Sequence, residues 1–265
     1  MKIGIAGIGV VGGATLRSFT EHQIDVIAYD KFKDMGSLHD LLTTNIVFLC
    51  LPTLYSTDLS EYDKTALHDV CSQLKDNKYE GLVVIKSTVE PTTSQQFADK
   101  YGLNIIHNPE FLTARTAYED FHNQAHIIIG RTNNINDNQI NYLSEFYKKY
   151  YPSAEITICN STESESIKIF CNCFYSVKIQ FFNELFLLCQ KLNIDYSVVN
   201  NAMLKNGWIN PMHTEVPGTD GKLSYGGMCF PKDTNALLSF MKSKNTPHMV
   251  MEATVRERNS MRGSN

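Results

Sequence analysis

Short apolar runs alternate with helical patterns through the first half of the chain. Residues 2–6, 25–29, 46–51, 82–86, 104–107 and 127–129 read as strands, because β-branched and apolar residues crowd into stretches too short for a helix. The run 46–51 is apolar almost throughout, as expected of a strand covered on both faces. Between these runs, residues 11–21, 62–75, 93–101 and 137–150 carry apolar positions at helical spacing. This alternation predicts an α/β chain built on a Rossmann-like, doubly wound parallel sheet.

After Ile156-Thr157-Ile158 the pattern changes. Residues 161–192 contain neither proline nor glycine, and Ile167, Phe170, Phe174, Val177, Phe181, Leu185 and Leu188 recur at helical intervals. Ser161 and Thr162 supply N-cap hydroxyls, and Glu163 and Glu165 place negative charge at the positive end of the helix dipole. One helix of about 45 Å follows from the standard rise. Shorter helices are expected over 196–205, 234–244 and 248–261, and residues 262–265 are expected to be disordered. The chain therefore divides into residues 1–160, a nucleotide-binding-type domain, and residues 161–265, a long connecting helix with a small all-helical domain.

Composition narrows the function. The chain has 265 residues, 43% of them hydrophobic, and a net charge of −4. No basic balance attracts phosphate backbones, so a nucleic-acid partner is not expected. No apolar run reaches membrane-spanning length, and Met1-Lys2-Ile3 leads straight into a strand with no secretory leader, so neither a membrane partner nor export is expected. Cys50, Cys71, Cys159, Cys171, Cys173, Cys189 and Cys229 are odd in number and show no framework spacing, which fits free thiols in a reducing cytoplasm. Cys50 and Cys189 sit in apolar runs and read as core. Cys171 and Cys173, two apart on a helix, face different ways, so no metal site is expected. His107 reads as a hydrogen-bonding residue at a strand end.

Gly7-Ile8-Gly9-Val10-Val11-Gly12 is a G-x-G-x-x-G step between a strand and a helix, and Asp30 closes the next strand at the distance such sites require. Gly7 makes the turn, Gly9 lets a pyrophosphate approach the backbone, and Gly12 lets helix and strand pack closely. The helix N-terminus offers N–H groups to the phosphates. Asp30 can accept from ribose hydroxyls and repels a 2′-phosphate, which favours NAD over NADP; Lys31 and Lys33 soften that preference. Three strand ends, Leu51-Pro52-Thr53, Lys86-Ser87-Thr88-Val89 and Asn108-Pro109-Glu110-Phe111-Leu112, fall on the edge where open parallel sheets hold ligands. Singly, each polar residue there also reads as a turn or cap. Late in the chain, Tyr225-Gly226-Gly227-Met228-Cys229-Phe230-Pro231-Lys232-Asp233 sets a cysteine between a glycine pair and a Lys-Asp step. Glycines allow close backbone approach, and a lysine three residues on favours a thiolate. A redox cofactor and a nucleophilic thiol together point to oxidation through a covalent thioester.

These segments, with Glu165, Lys168 and Asn172 on the long helix and Phe182-Asn183-Glu184, resemble the UDP-glucose/GDP-mannose dehydrogenase family, most closely its UDP-glucose 6-dehydrogenases, from residue 1 to about 260. The resemblance implies NAD-dependent oxidation of a nucleotide-sugar C6 alcohol to the uronic acid. Cys229 matches the family nucleophile. Lys168 and Asn172 match polar residues facing the reacting carbon, and Thr88 and Asp233 match residues that position water. Glu110, with Phe111 and Leu112, lies in a segment that touches sugar and nicotinamide. Thr53, Ser87, Thr88, Lys33 and Lys232 fall at cofactor positions, and Tyr225 and Gly226 at the substrate loop. A homodimer through the helical region is implied as well.

Two departures stand out. The family pattern carries a second glutamate four residues after the first; here Ala114 stands there, which moves the thioester-release role to Glu110, Asp233 or a water held by Thr88. Full-length members also continue into a third domain that binds much of the nucleoside diphosphate, beyond the helix that ends this chain. Three readings therefore stay open: the full four-electron oxidation, a two-electron oxidation that stops at aldehyde, and an NAD-binding dimeric module with impaired chemistry. Lys168 could also be a solvated helix lysine, and Asp233 the N-cap of the helix that follows it.

Overall fold

The computed structural model describes residues 1–262. Its strands are β1 (Lys2–Ala6), β2 (Asp25–Tyr29), β3 (Ile46–Leu49), β4 (Tyr55–Ser56), β5 (Glu61–Tyr62), β6 (Leu82–Ile85), β7 (Asn104–His107), β8 (His126–Arg131) and β9 (Glu155–Asn160). Its helices are α1 (Val10–Glu21), α2 (Leu38–Leu41), α3 (Thr65–Asp76), α4 (Thr93–Tyr101), α5 (Ala117–His122), α6 (Asp137–Tyr150), α7 (Ser161–Lys191), α8 (Tyr196–Leu204), α9 (Phe230–Ser243) and α10 (Met249–Arg262). Two compact units emerge: Met1–Leu54 with Tyr62–Lys168, and Tyr55–Glu61 with the chain from Ile169 onward.

The first unit holds a seven-stranded sheet in the order β2-β1-β3-β6-β7-β8-β9. The expected Rossmann-like sheet is present and mostly parallel; only β7 and β8 run antiparallel, with Ile106 opposite Arg131 and His107 opposite Gly130. Every residue of β3 and β6 is buried, which explains their unbroken apolar character. One apolar cluster gathers Phe19, Phe48, Ile129, Phe146 and Tyr147; a second gathers Leu49, Leu67, Leu74, Phe97 and Ile105. At the crossing of β8 and α7, a Cβ on Gly130 would lie 2.4 Å from the Cβ of Ser164, so only glycine fits. His107, wholly buried, takes the strand-end role expected of it: its Nδ1 lies 2.8 Å from Ser164 Oγ, and burial pulls the imidazole down to about 3.

In the second unit, α9 and α10 pack against each other. Tyr55 Oη bonds Ser239 Oγ at 2.8 Å and fastens the 55–61 ribbon to α9. The long helix α7 is shared: its first turns, through Lys168, belong to the sheet-bearing unit and the rest to the helical unit. Helix α9 starts at Phe230 rather than at 234, because Pro231 sits in its first turn, where a missing N–H costs nothing. Arg262, expected to be disordered, ends α10 and pairs with Asp220; residues 263–265 lie outside the described residues. Among the described residues, no helix is long and apolar enough to cross a membrane.

Candidate active site

The first unit carries the glycine-rich turn. Gly7 adopts φ +87°, and a Cβ there would approach the Cys50 carbonyl oxygen at 2.6 Å. A Cβ on Gly12 would lie 1.8 Å from the Gly7 carbonyl oxygen, so the close helix–strand approach demands glycine. Gly9, in contrast, has open space where its Cβ would stand. That vacancy at the N-terminus of α1 is the approach a pyrophosphate needs, and it fits NAD. Asp30 closes the turn: Oδ2 accepts from the Ile8 N–H at 2.7 Å, and Oδ1 accepts from the N–H groups of Phe32 and Lys33 at 2.9 and 3.2 Å. Burial raises the Asp30 carboxyl, but these three donors and the Lys33 charge outweigh it and hold it below the usual range. Lys33 Nζ donates to the Ile8 carbonyl at 2.5 Å, and Lys31 makes an exposed pair with Asp69. Val10 stands exposed beside Gly9.

The strand ends converge. The Thr53 hydroxyl donates to the Thr88 carbonyl at 2.7 Å, and the Ser87 hydroxyl, which accepts from the Leu51 N–H, donates to the Leu51 carbonyl at 2.7 Å. Ser87 thus serves as a tie between the ends of β3 and β6. Glu110 Oε1 lies 3.3 Å from Lys168 Nζ, and Oε2 accepts from the Leu112 N–H at 2.7 Å. Lys168 is no solvated lysine: its side chain is 5% exposed, and its Nζ sits 5.1 Å from the Phe111 ring centroid. Ala114 occupies an exposed 3₁₀ turn, Ala114–Thr116.

The second unit carries the thiol. Cys229 is exposed and holds the N-cap position of α9, so an anionic sulfur there meets the positive end of that helix. Gly227 (φ +74°) supplies a left-handed residue two positions before it. Asp233 is not the N-cap; it lies inside the first turns, wholly buried, with Oδ1 2.6 Å from Lys232 Nζ and Oδ2 accepting from Asn172 Nδ2 at 2.6 Å. Lys232 is thereby paired with Asp233. Asn172 lies four residues after Lys168, on the same face of α7. The Tyr225 hydroxyl is buried against Thr234, and a Cβ on Gly226 would strike the Arg262 guanidinium. Arg262 itself makes a two-pronged pair with Asp220 at 2.6 and 3.0 Å, which holds the 218–226 loop.

Two side chains of the first unit, named in sequence only as a strand-end lysine and as an acid of the long helix, take buried roles that the sequence did not assign them. Lys86 is 2% exposed, and its Nζ bonds the Asn108 carbonyl and Oδ1 at 3.1 and 2.9 Å. The signal was a lysine closing a wholly apolar strand run. Glu165, also buried, accepts backbone N–H bonds from Thr92 and Ser94. Among the described residues, no cluster of three or more His, Cys, Asp or Glu side chains could hold a metal.

Residues 34–151 match the NAD binding domain of the UDP-glucose/GDP-mannose dehydrogenase family, and residues 162–260 match its central domain. The chain belongs to this family. A UDP-glucose 6-dehydrogenase of Campylobacter jejuni is 27% identical over 99% of this chain and 72% of its own length. The Rickettsia bellii UDP-glucose 6-dehydrogenase is 31% identical over 82% of this chain and 50% of its own length. For Bacillus subtilis TuaD, also a UDP-glucose 6-dehydrogenase, the figures are 29%, 80% and 46%. The chain thus spans half or less of these last two relatives. The fold of a UDP-glucose dehydrogenase from Pyrobaculum islandicum superposes with a TM-score of 0.85 at 23% identity, covering 98% of this chain and 68% of that one. GDP-mannose dehydrogenase from Pseudomonas aeruginosa gives 0.70 at 21% identity, over 98% and 69%.

Proposed function

We propose that this chain oxidises the C6 alcohol of a nucleotide sugar, UDP-glucose or a close analogue, to the uronic acid, through a thioester on Cys229. NAD, when bound, accepts a hydride in each of the two oxidations. The glycine-rich turn and Asp30 would hold it, and the resemblance gives Lys33, Thr53, Ser87, Thr88 and Lys232 cofactor roles as well. In the first oxidation the C6 hydroxyl also gives up a proton, and Lys168 and Asn172 offer N–H donors to the charge that develops on oxygen. The Cys229 sulfur adds to the aldehyde carbon to form a thiohemiacetal, whose second oxidation yields the thioester. Water then attacks the thioester carbon, the carboxylate departs, and the thiol is regenerated.

The observation that carries this reading is the placement of Cys229: exposed, at a helix N-terminus, four residues before a buried Asp233 that Asn172 and Lys232 hold in place. With Ala114 bringing no carboxylate, activation of the releasing water falls to Glu110. Its side chain keeps 10% of its surface exposed, whereas Asp233 keeps none. The same alanine favours one alternative, a two-electron enzyme that releases aldehyde; a binding module without turnover is the third case. NADH formed per sugar consumed separates them: two for the full reaction, one for the aldehyde reaction, none for the module. The purified chain with NAD and UDP-glucose should yield two, with product mass matching the acid. Cys229→Ser should abolish acid formation, and undiminished acid from that variant would sink the covalent route.

A further inference from the structure

The Lys86 ammonium lies at the end of β6, out of reach of water, and bonds only to Asn108 among the described contacts. Asn108 is itself fixed from three sides. Its Nδ2 donates to the Ile128 carbonyl at 2.7 Å, its Oδ1 accepts from the Tyr147 hydroxyl at 2.5 Å, and its backbone N–H donates to the Ile85 carbonyl at 2.8 Å. Pro109 comes next and Glu110 after it, so the lysine grips the turn two residues before the candidate carboxylate. A buried cation without a counter-charge is costly. Burial draws the Lys86 ammonium down to about 8; the Cys50 sulfur and the Glu110 carboxylate favour its charge, and Lys168 opposes it. The other groups facing it are the neutral His107 imidazole on β7, the Phe121 ring at 5.4 Å and, through Asn108, the Tyr147 hydroxyl.

We propose that Lys86 is a positioning residue for Glu110: from inside the sheet it locks the Asn108-Pro109-Glu110 turn, and it shares Glu110 with Lys168 as a common counter-charge. The role in turnover rests on the dehydrogenase reading above; the coupling between the two side chains does not. While Lys86 is charged, two ammonium groups share one carboxylate, and that excess positive charge is lost as Lys86 deprotonates.

The test is a pH titration of the full chain labelled with [ε-¹³C]lysine, with the Lys86 resonance identified by its loss in Lys86→Met. The wild-type signal should titrate near pH 8. In Glu110→Gln, which keeps the side chain's shape, the midpoint should fall by about one unit, because the neighbouring negative charge is gone. An unchanged midpoint in a folded Glu110→Gln overturns the proposal. Turnover gives a second arm. Lys86→Met should lower kcat by about 10-fold or more, leave the cofactor KM in place, and abolish the decline in activity above about pH 8. Identical pH profiles for the two proteins would also overturn it. Wild-type protein that forms no NADH from any nucleotide sugar defeats the dehydrogenase reading, and the titration then decides the Lys86–Glu110 coupling by itself.

Discussion

Glu165 has no exposed surface, and its two oxygens accept the N–H groups of Thr92 and Ser94, each at 2.6 Å. These donors open α4, so the carboxylate serves that helix's positive end rather than the start of α7, where the chain's pattern had placed it. Glu163 does serve α7: its N–H donates to Asn160 Oδ1, and its carboxylate accepts from the Asn160 N–H, each at 2.9 Å. Spacing shows which helix an acid sits on, but not which helix it caps through space. Burial pushes the Glu165 carboxyl up to about 7 against the pull of its donors. A pKa raised in the folded state gives stability that is full below the unfolded value of about 4.5 and is lost as pH rises through about 7. Glu165→Gln removes this dependence. Between pH 4.5 and 7, wild-type stability should therefore decline relative to Glu165→Gln, by on the order of 3 kcal/mol in all. Urea melts of both proteins across that range measure the difference; parallel curves would mean the carboxylate titrates normally.

Among the elements, the turn from β1 into α1 separates two adjacent glycines sharply. Gly12 faces the Gly7 carbonyl, whereas Gly13 has open space at its Cβ. Gly12→Ala must move backbone and should cost about 1–3 kcal/mol or more and weaken NAD binding. Gly13→Ala should hold or gain up to about 1 kcal/mol through helix propensity. Calorimetric NAD titration and thermal melts of the pair check this, and equal losses at both sites would contradict the packing argument. The same turn was legible in sequence because its chemistry is local: three glycines at fixed offsets and an acid one strand later. Helices α4 and α6 were legible to the residue, since periodicity alone sets them. The β4–β5 ribbon, α2 and α5 were not, because each is too short to show a period. Helix α3 starts at Thr65, later than its apolar pattern, because the Tyr62 N–H is taken by Glu90 Oε1 at 2.6 Å, a partner 28 residues away. The antiparallel β7–β8 pair is equally invisible, since strand direction leaves no mark on an apolar run. Among site residues, the fingerprint and the cysteine loop were legible as motifs. Lys86 was not, because a lysine at a strand end looks like a solvated one until the neighbouring Asn108 is placed.

For the whole molecule, the open matter is what covers α7. Phe170, Phe174, Val177, Phe181, Leu185 and Leu188 follow one another at steps of three and four residues, which winds them into one stripe along the helix, and Leu192 continues the spacing just past its end. Phe170, Phe174, Phe181, Leu188 and Leu192 each keep about half or more of their surface exposed, 63% for Phe174. Aromatic and leucine side chains exposed together along one long helix mark an interaction surface. The occupant we propose is a second copy of this chain. A two-fold axis across α7 lets the same stripe cover itself without any other partner, and steps of three and four suit helix-on-helix packing. The expected solution species is then a dimer, of twice the monomer mass by light scattering. Phe174→Glu with Phe181→Glu would place four carboxylates against one another at such an interface and should yield monomer. Both positions are exposed in the single chain, so the fold and NAD binding at the glycine-rich turn should survive. A wild-type monomer at micromolar concentration, or a double variant that remains dimeric, would remove α7 as the interface.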